Sequence, residues 1–494
     1  MSMRRAIRAV AAALLLRLSL GECPNYSSHS QQHHEPLSTG AYGLSYQRPD
    51  PACRTYNSSG VEEIIVRLKD KIYDPDLSRL FENTFPNTLD TAIRWRGKAA
   101  NNTEEELCFV ITGDIDAMWI RDSADQIAPY KSALHNATDD IASVFRGVLN
   151  LQARYLVISP YCNAFHPPPR AACKCKSTRT PFLQMGHDYY KATGDVGFFG
   201  KFQWIYAIQS IMSASNALKQ PTYGPDGVWV KPEYTFQSET NTGAGTLGNH
   251  GIGNPVNYTG LLRSPFRPSD DSATYDFSIP ANMMMAVYLE SNANIMERLP
   301  NAPTGLAKEM RDMAAEIREA IKTWGTVKAP NGKKVFAYEV DGYGGQNLMD
   351  DANVPSLLSA PFLGFLDMKD EIYQNTRSLI LGRSNPFWCQ GPVISGIGSP
   401  HVQPGATWPM SVIMRIMTTD SDIEIRTNMK MILSSTDGLG LIHESINAAD
   451  ASRWTRQWFT WANGLFGQMI LDIEARKPHL LQESYQPFRY MAAV

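Results

Sequence analysis

Residues 306–324 read LAKEMRDMAAEIREAIKTW. Leu306, Met310, Met313, Ala314, Ile317, Ala320, Ile321 and Trp324 recur at steps of three and four, the period that lines them up along one side of a helix, and Gly325 ends the pattern. One face of this helix is therefore core, and the other meets water. The same period runs through 61–72, 141–157, 182–193, 198–218, 283–299, 408–417, 423–433 and 458–473, whereas strand-like pieces are short and few, at 108–111, 227–234 and 335–340. The expected class is mostly α with a few short strands in the loops. Helices of this kind bury their apolar faces in layers, and a ring of helix pairs is an economical way to do so.

Composition narrows the function. The chain has 494 residues, 46 basic against 49 acidic groups, and 43% hydrophobic residues, which excludes a disordered chain and gives no basic excess for nucleic acid. Ten Trp, 21 Tyr and 19 Phe are mainly core, but the same rings suit the flat apolar faces of sugars. No G-x-G-x-x-G, P-loop or G-x-S-x-G stands between a strand and a helix, so nucleotide and α/β-hydrolase chemistry lose support.

The first 21 residues differ from the rest: Arg4, Arg5 and Arg8 precede the apolar run 9–16, and Ser19-Leu20-Gly21 offers a small-x-small cleavage site. This reads as a secretory signal peptide, with a retained signal-anchor as the alternative. The run is short and broken by Arg17, so stable membrane insertion is not expected unless the segment is kept. Sequons at Asn25, Asn57, Asn101, Asn136 and Asn257 agree with passage through the secretory lumen. Residues 22–52, rich in Ser, His and Pro, are expected to form a flexible lead, and 53–494 one catalytic domain. Seven cysteines permit at most three disulfides and leave at least one thiol, if all remain in the mature chain. Cys173 and Cys175 are not spaced as C-x-x-C and no second pair answers them, so no metal is expected there.

Chemistry is expected in the polar loops. The loop 112–123, TGDIDAMWIRDS, packs three carboxylates, a guanidinium and an indole together. Asp and Arg match vicinal hydroxyls and Trp stacks on a sugar face, although Arg121 and Asp122 could equally be an internal salt bridge at a helix start. The loop 264–275, SPFRPSDDSATY, precedes a helix beginning near Ile279. Its adjacent aspartates read either as caps or as a pair that keeps one carboxyl protonated for acid catalysis. The loop 438–445, GLGLIHES, delivers His443 and Glu444 together, and Asn447 stands where a zinc protease would carry its second His.

Four strings in order, GDIDAMWIRDSADQIAPY, GNPVNYTGLLRSPFRPSDDSATY, IHES and RQWFTWANGLFG, spread over nearly the whole mature chain, resemble glycoside hydrolase family 125, the exo-acting α-1,6-mannosidases. The resemblance implies an (α/α)6 toroid, inverting hydrolysis of terminal α-mannose from mannan or glycoprotein glycans, and no metal or other cofactor. It places the general acid on Asp271 and the general base on Glu444, and the choice of Asp271 over Asp270 rests on it alone. It gives Asp114, Trp119, Arg121 and Asp122 to the terminal mannose subsite, with Asp270, His443 and Arg456 beside them.

The chain departs from the family at two places. Asp116 stands where relatives have Pro, either a tolerated change or a new charge in the pocket. Residues 170–181, RAACKCKSTRTP, replace an expected acidic E-x-K-x-E-L-D-S-L stretch, through divergence or mis-splicing. Two rival readings follow: a silent mannoside-binding paralogue, and an (α/α)6 enzyme acting on another glycan.

Overall fold

The computed structural model describes residues 23–166, 173–174, 180–237 and 243–487. The stretch 306–324 forms a helix over Leu306–Ala320 and then widens into a π turn, Ile321–Gly325. Met310, Met313, Ala314, Ile317 and Ala320 are buried, and the helix lies along Ile279–Met296. Fully burying a side chain such as Met310 or Ile317 contributes about 2 kcal/mol, so this face suffices to fix the pair.

The other helical expectations hold within a turn at each end, with one break and three omissions. The stretch 198–218 divides into Val196–Phe199 and Trp204–Leu218 around Gly200, which packs against Asn301 too closely for a side chain. Pro75–Thr84, Ile120–Ile127 and Glu371–Ile380 are further helices. The first opens with Pro75 and is capped by the Asp74 carboxylate, which accepts from the Asp76 and Leu77 N–H groups, both at 3.0 Å. The expected strand at 227–234 is instead the end of a tight hairpin, joined to its partner at Tyr223 and Trp229.

Ile120–Ile127 packs between Thr180–Thr193 and Thr460–Arg476. Thr180–Thr193 continues onto Ile279–Met296, and Thr460–Arg476 onto Pro409–Met417. A second set backs this one: Ala142–Ile158 on Thr180–Thr193, Leu306–Ala320 on Ile279–Met296, Asp422–Ser434 on Pro409–Met417 and Pro75–Thr84 on Thr460–Arg476. Between Ile279–Met296 and Pro409–Met417 the chain crosses residues 350–366 as turns, because Pro355 and Pro361 interrupt any helix there. Asp350 organises that crossing by accepting the N–H groups of Leu357 (2.8 Å) and Leu358 (2.9 Å), and burial pushes its carboxyl up to about 8. The core is one contiguous cluster with a small satellite around Phe236. Trp119, Ser278, Trp408 and Phe459 immediately precede four first-set helices, so the loops that carry the sequence motifs feed helix N-termini.

The segment expected to be a flexible lead is an ordered strap, and the sequence reading is corrected here. Cys23 is disulfide-bonded to Cys53, Leu44 is fully buried, and Asn83 donates to the carbonyls of Ser45 (2.9 Å) and Gly440 (2.8 Å). Arg48 reaches across to the buried Asp90 and to the partly exposed Glu62. The strap is fastened through polar groups of the body, so no apolar period betrays it. The signal segment lies outside the described residues. No described helix is long and apolar enough to cross a membrane. Cys162 is also disulfide-bonded, while Cys108 and Cys389 are thiols.

Candidate active site

The Asp270-Asp271 pair sits on a tight turn. Phe266 and Ser272 bridge antiparallel, the Arg267 N–H donates to the Asp271 carbonyl (2.7 Å), and Asp270 takes a left-handed backbone, φ 70°. A non-glycine residue there is strained by on the order of 1 kcal/mol, so surrounding bonds must hold it. Two do: Arg267 grips the fully buried Glu339 through two bonds (2.6 and 3.0 Å), and Ser269 Oγ donates to Asp351 (2.7 Å). Asp270 faces the cavity and lies 3.5 Å from the Arg121 guanidinium. Asp271 is buried, with Oδ2 lying 3.6 Å from His401 Nδ1.

Glu444 comes from the glycine-flanked loop. The Ile442 N–H is anchored on the Asn463 side chain (2.9 Å), and beyond Glu444 the chain enters a hairpin, Ser445–Asn447 against Asp450–Thr455. At the far end of that hairpin Arg456 adopts φ 42°, a second strained residue at the same place. Its Nη1 donates to Glu444 Oε1 (3.2 Å) while Nε and Nη2 donate to Asp114 Oδ1 (2.8 and 2.6 Å). Thr455 Oγ1 supplies a second donor to Glu444, at 3.1 Å. Arg456 thus holds two carboxylates in place, and it also lines the cavity, as expected of a residue near the sugar.

Arg121 and Asp122 occupy the first turn of Ile120–Ile127 and are ion-paired at 2.9 Å. The salt-bridge reading and the cavity reading are both realised, because Arg121 also lines the cavity and lies over the Trp461 ring at 5.1 Å. Its Nε is buried and makes no hydrogen bond among the described residues. Burial raises the Asp122 carboxyl above its ordinary value, against the pull of Arg121.

These loops close around a cavity of about 210 Å³ that Trp119, Arg121, Asp122, Asp270 and Glu444 line. Asp114 lies beyond the Arg456 fork and lines a neighbouring cavity of about 440 Å³ with the strap. His443 is a correction: it is fully buried, stacked at 4.7 Å on Trp454, and burial drives its pKa down to about 3, so it is a core residue behind Glu444. Asp116 is a surface group paired with Arg94 at 3.1 Å, and it lines the neighbouring cavity with Asp114 rather than the one that Glu444 lines. Sequence reasoning missed His401, Asn353, Ser269, Trp408 and Trp461 on the cavity wall. His401 carried no motif, and only its place in a loop leading to the helix at Pro409 could have marked it.

Three indoles in the wall, a buried guanidinium and carboxylates delivered by separate loops define the class: this is the equipment of a carbohydrate hydrolase. The particular family follows from comparison. Residues 74–180 and 177–471 match the metal-independent α-mannosidases of family GH125, and the chain belongs to that family. It is 41% identical to the meiotically up-regulated gene 157 protein of Schizosaccharomyces pombe, over 96% of this chain and 97% of that one. A Streptococcus pneumoniae metal-independent α-mannosidase, solved as a non-productive complex with α-1,6-mannobiose, superposes with a TM-score of 0.76 at 30% identity, over 85% of this chain and 99% of that one. A bacterial glucoamylase in complex with acarbose shares the fold alone, with a TM-score of 0.51 at 10% identity, over 84% of this chain and 59% of that one. The two family matches meet at 177–180, within the divergent stretch 170–181, most of which lies outside the described residues.

Proposed function

We propose that this glycoside hydrolase is an inverting exo-α-1,6-mannosidase, built on an (α/α)6 toroid, that removes non-reducing terminal mannose from mannan or glycoprotein glycans in the secretory lumen or outside the cell. The observation that carries the reading is the Glu444 carboxylate, held by Arg456 and Thr455 on the wall of a cavity on the scale of one hexose. A small cavity suits a chain end rather than a chain interior. The α-1,6-mannobiose in the Streptococcus pneumoniae relative supports the linkage. Exposed sequon asparagines at 25, 57, 101 and 136, together with the disulfides, support the lumenal route.

In the reaction Asp271 gives its proton to the glycosidic oxygen as the bond to the anomeric carbon breaks. Glu444 takes a proton from the water that attacks the opposite face, and the α-linkage becomes a β-hemiacetal. Arg121 and Asp122 bind sugar hydroxyls, and Trp119 offers its ring. The choice of Asp271 over Asp270 as the acid rests on the family resemblance; Asp270 lies 3.5 Å from the Arg121 guanidinium and Asp271 3.6 Å from the His401 imidazole. The test compares mannobioses of different linkage and aryl α-mannoside with α-glucoside, on the wild type and on Asp271→Asn and Asp270→Asn. The reading expects α-1,6-mannobiose to be preferred and Asp271→Asn to lose at least a hundredfold in kcat. Preference for a glucoside, or loss confined to Asp270→Asn, would overturn it.

The departure of RAACKCKSTRTP at 170–181 from the acidic stretch expected there favours one other reading, a silent mannoside-binding paralogue. Binding of mannobiose by the wild type with no release of mannose would select it.

A further inference from the structure

An inverting pair has to be reset after each turnover, since the acid ends as a carboxylate and the base ends protonated. Glu444 stands on the cavity wall, but the Asp271 carboxyl is only 7% exposed, and its Oδ2 makes no hydrogen bond among the described residues. The group beside that oxygen is the His401 ring, whose Nδ1 lies 3.6 Å away and whose side chain is 44% exposed. His401 therefore touches the cavity on one side and the buried acid on the other.

Their spacing is set by the core. The His401 N–H donates to Ser399 Oγ (3.2 Å), Ser399 Oγ donates to Asp351 Oδ2 (3.3 Å), and the same oxygen accepts from Ser269 Oγ in the Asp-Asp turn (2.7 Å). One buried carboxylate thus ties the loop of the acid to the loop of the imidazole. The Trp408 ring stands edge-on to the imidazole at 6.3 Å and limits its swing.

We propose that His401 resupplies Asp271 with the proton it spends in each turnover, an inference that rests on Asp271 being the general acid. The Nδ1–H bond of the imidazolium breaks and an O–H bond forms on Asp271 Oδ2, leaving a neutral ring that keeps its Nε2–H. Water then returns a proton to the vacated Nδ1 of the half-exposed ring while Glu444 releases its proton to water, so the cycle consumes no net proton. The groups that face His401 are Asp271, Glu444 and Asp270, all acidic, and they favour the imidazolium. The nearby Asp271 carboxyl leads in raising the ring above its ordinary value of 6.5, against the effect of partial burial.

The test uses the full chain, His401→Gln, and two substrates that differ in their need for the acid. Hydrolysis of α-1,6-mannobiose requires a proton on the departing oxygen, whereas α-mannosyl fluoride releases fluoride with little help. The proposal expects kcat on mannobiose to fall roughly tenfold or more with KM little changed, fluoride hydrolysis to fall far less, and added imidazole to restore the mannobiose rate. Retained fluoride hydrolysis also shows that the variant is folded. Equal losses on both substrates, or no loss and no response to imidazole, overturn the proposal alone. A wild type that hydrolyses fluoride but leaves mannobiose uncut overturns the α-1,6-mannosidase reading, and this inference with it.

Discussion

Arg456→Met removes the guanidinium that joins Glu444 to Asp114. Four bonds are lost, at 3.2 Å to Glu444, at 2.8 and 2.6 Å to Asp114 and at 3.4 Å to Thr112 Oγ1, and Glu444 keeps a single neutral donor, Thr455 Oγ1 at 3.1 Å. A hydrogen bond to a charged group contributes about 1.5–3 kcal/mol, and with about 1.4 kcal/mol per factor of ten this becomes roughly a ten- to hundredfold loss in kcat. The stability cost should be modest, because Asp114 is one-third exposed and water takes over part of its pairing. Arg456→Lys should recover only part of the rate, since one ammonium cannot fork between two carboxylates. The assay is initial-rate kinetics on α-1,6-mannobiose for wild type and both variants, with Tm as the folding control. A kcat within twofold of wild type together with a raised KM would show that Arg456 contacts the sugar and does not position Glu444.

Gly113→Ala should both destabilise and inactivate, because φ is 120° and an added Cβ would stand 2.1 Å from the Trp458 carbonyl oxygen; urea unfolding should show a loss above about 1 kcal/mol. Cys23→Ser opens the disulfide across 30 residues of strap, and the chain-entropy relation gives about 3 to 4 kcal/mol; an unchanged Tm would mean that the polar fastenings hold the strap unaided. Glu424 accepts from Thr419 (2.7 Å), Arg415 (2.5 Å) and Arg377 (2.9 Å), and these bonds outweigh burial and hold its carboxyl below the ordinary 4.5. A depressed carboxyl stabilises the fold above its unfolded value and ceases to as pH falls through its folded value. Glu424→Gln should therefore destabilise at pH 7 and converge on wild type as pH falls from the ordinary carboxyl value through the lower folded one; a constant difference across that range would contradict the pairing.

Much of the fold was legible because amphipathic helices write their period into the chain, as Met310, Met313, Ala314 and Ile317 do. Pro75–Thr84 and Ile120–Ile127 escaped notice for different reasons: the first is short, with only Leu77, Leu80 and Phe81 as apolar residues on its buried face, and the second buries Arg121, Asp122, Ser123 and Gln126 in place of apolar residues. The strap escaped for the same physical reason, since Arg48 and Ser45 are buried by pairing rather than by hydrophobicity. At the site, the loop strings brought Arg121, Asp122, Asp270 and Glu444 to one cavity. What they could not give was direction: adjacent residues on a turn face opposite ways, so Glu444 enters the cavity while His443 turns into the core, and Asp270 meets Arg121 while Asp271 meets His401. His401 and Asn353 reach the site from loops without any motif, and only the tertiary fold reports them.

The central claim is that Asp271 and Glu444 act as an inverting acid and base on an α-mannoside. Proton NMR of α-1,6-mannobiose with the wild-type chain, followed from the earliest time points beside Asp271→Asn and Glu444→Gln, tests it most directly. The account predicts that β-mannose appears first and mutarotates later, with neither variant producing it at a comparable rate. First appearance of α-mannose, or undiminished release by either variant, would contradict it.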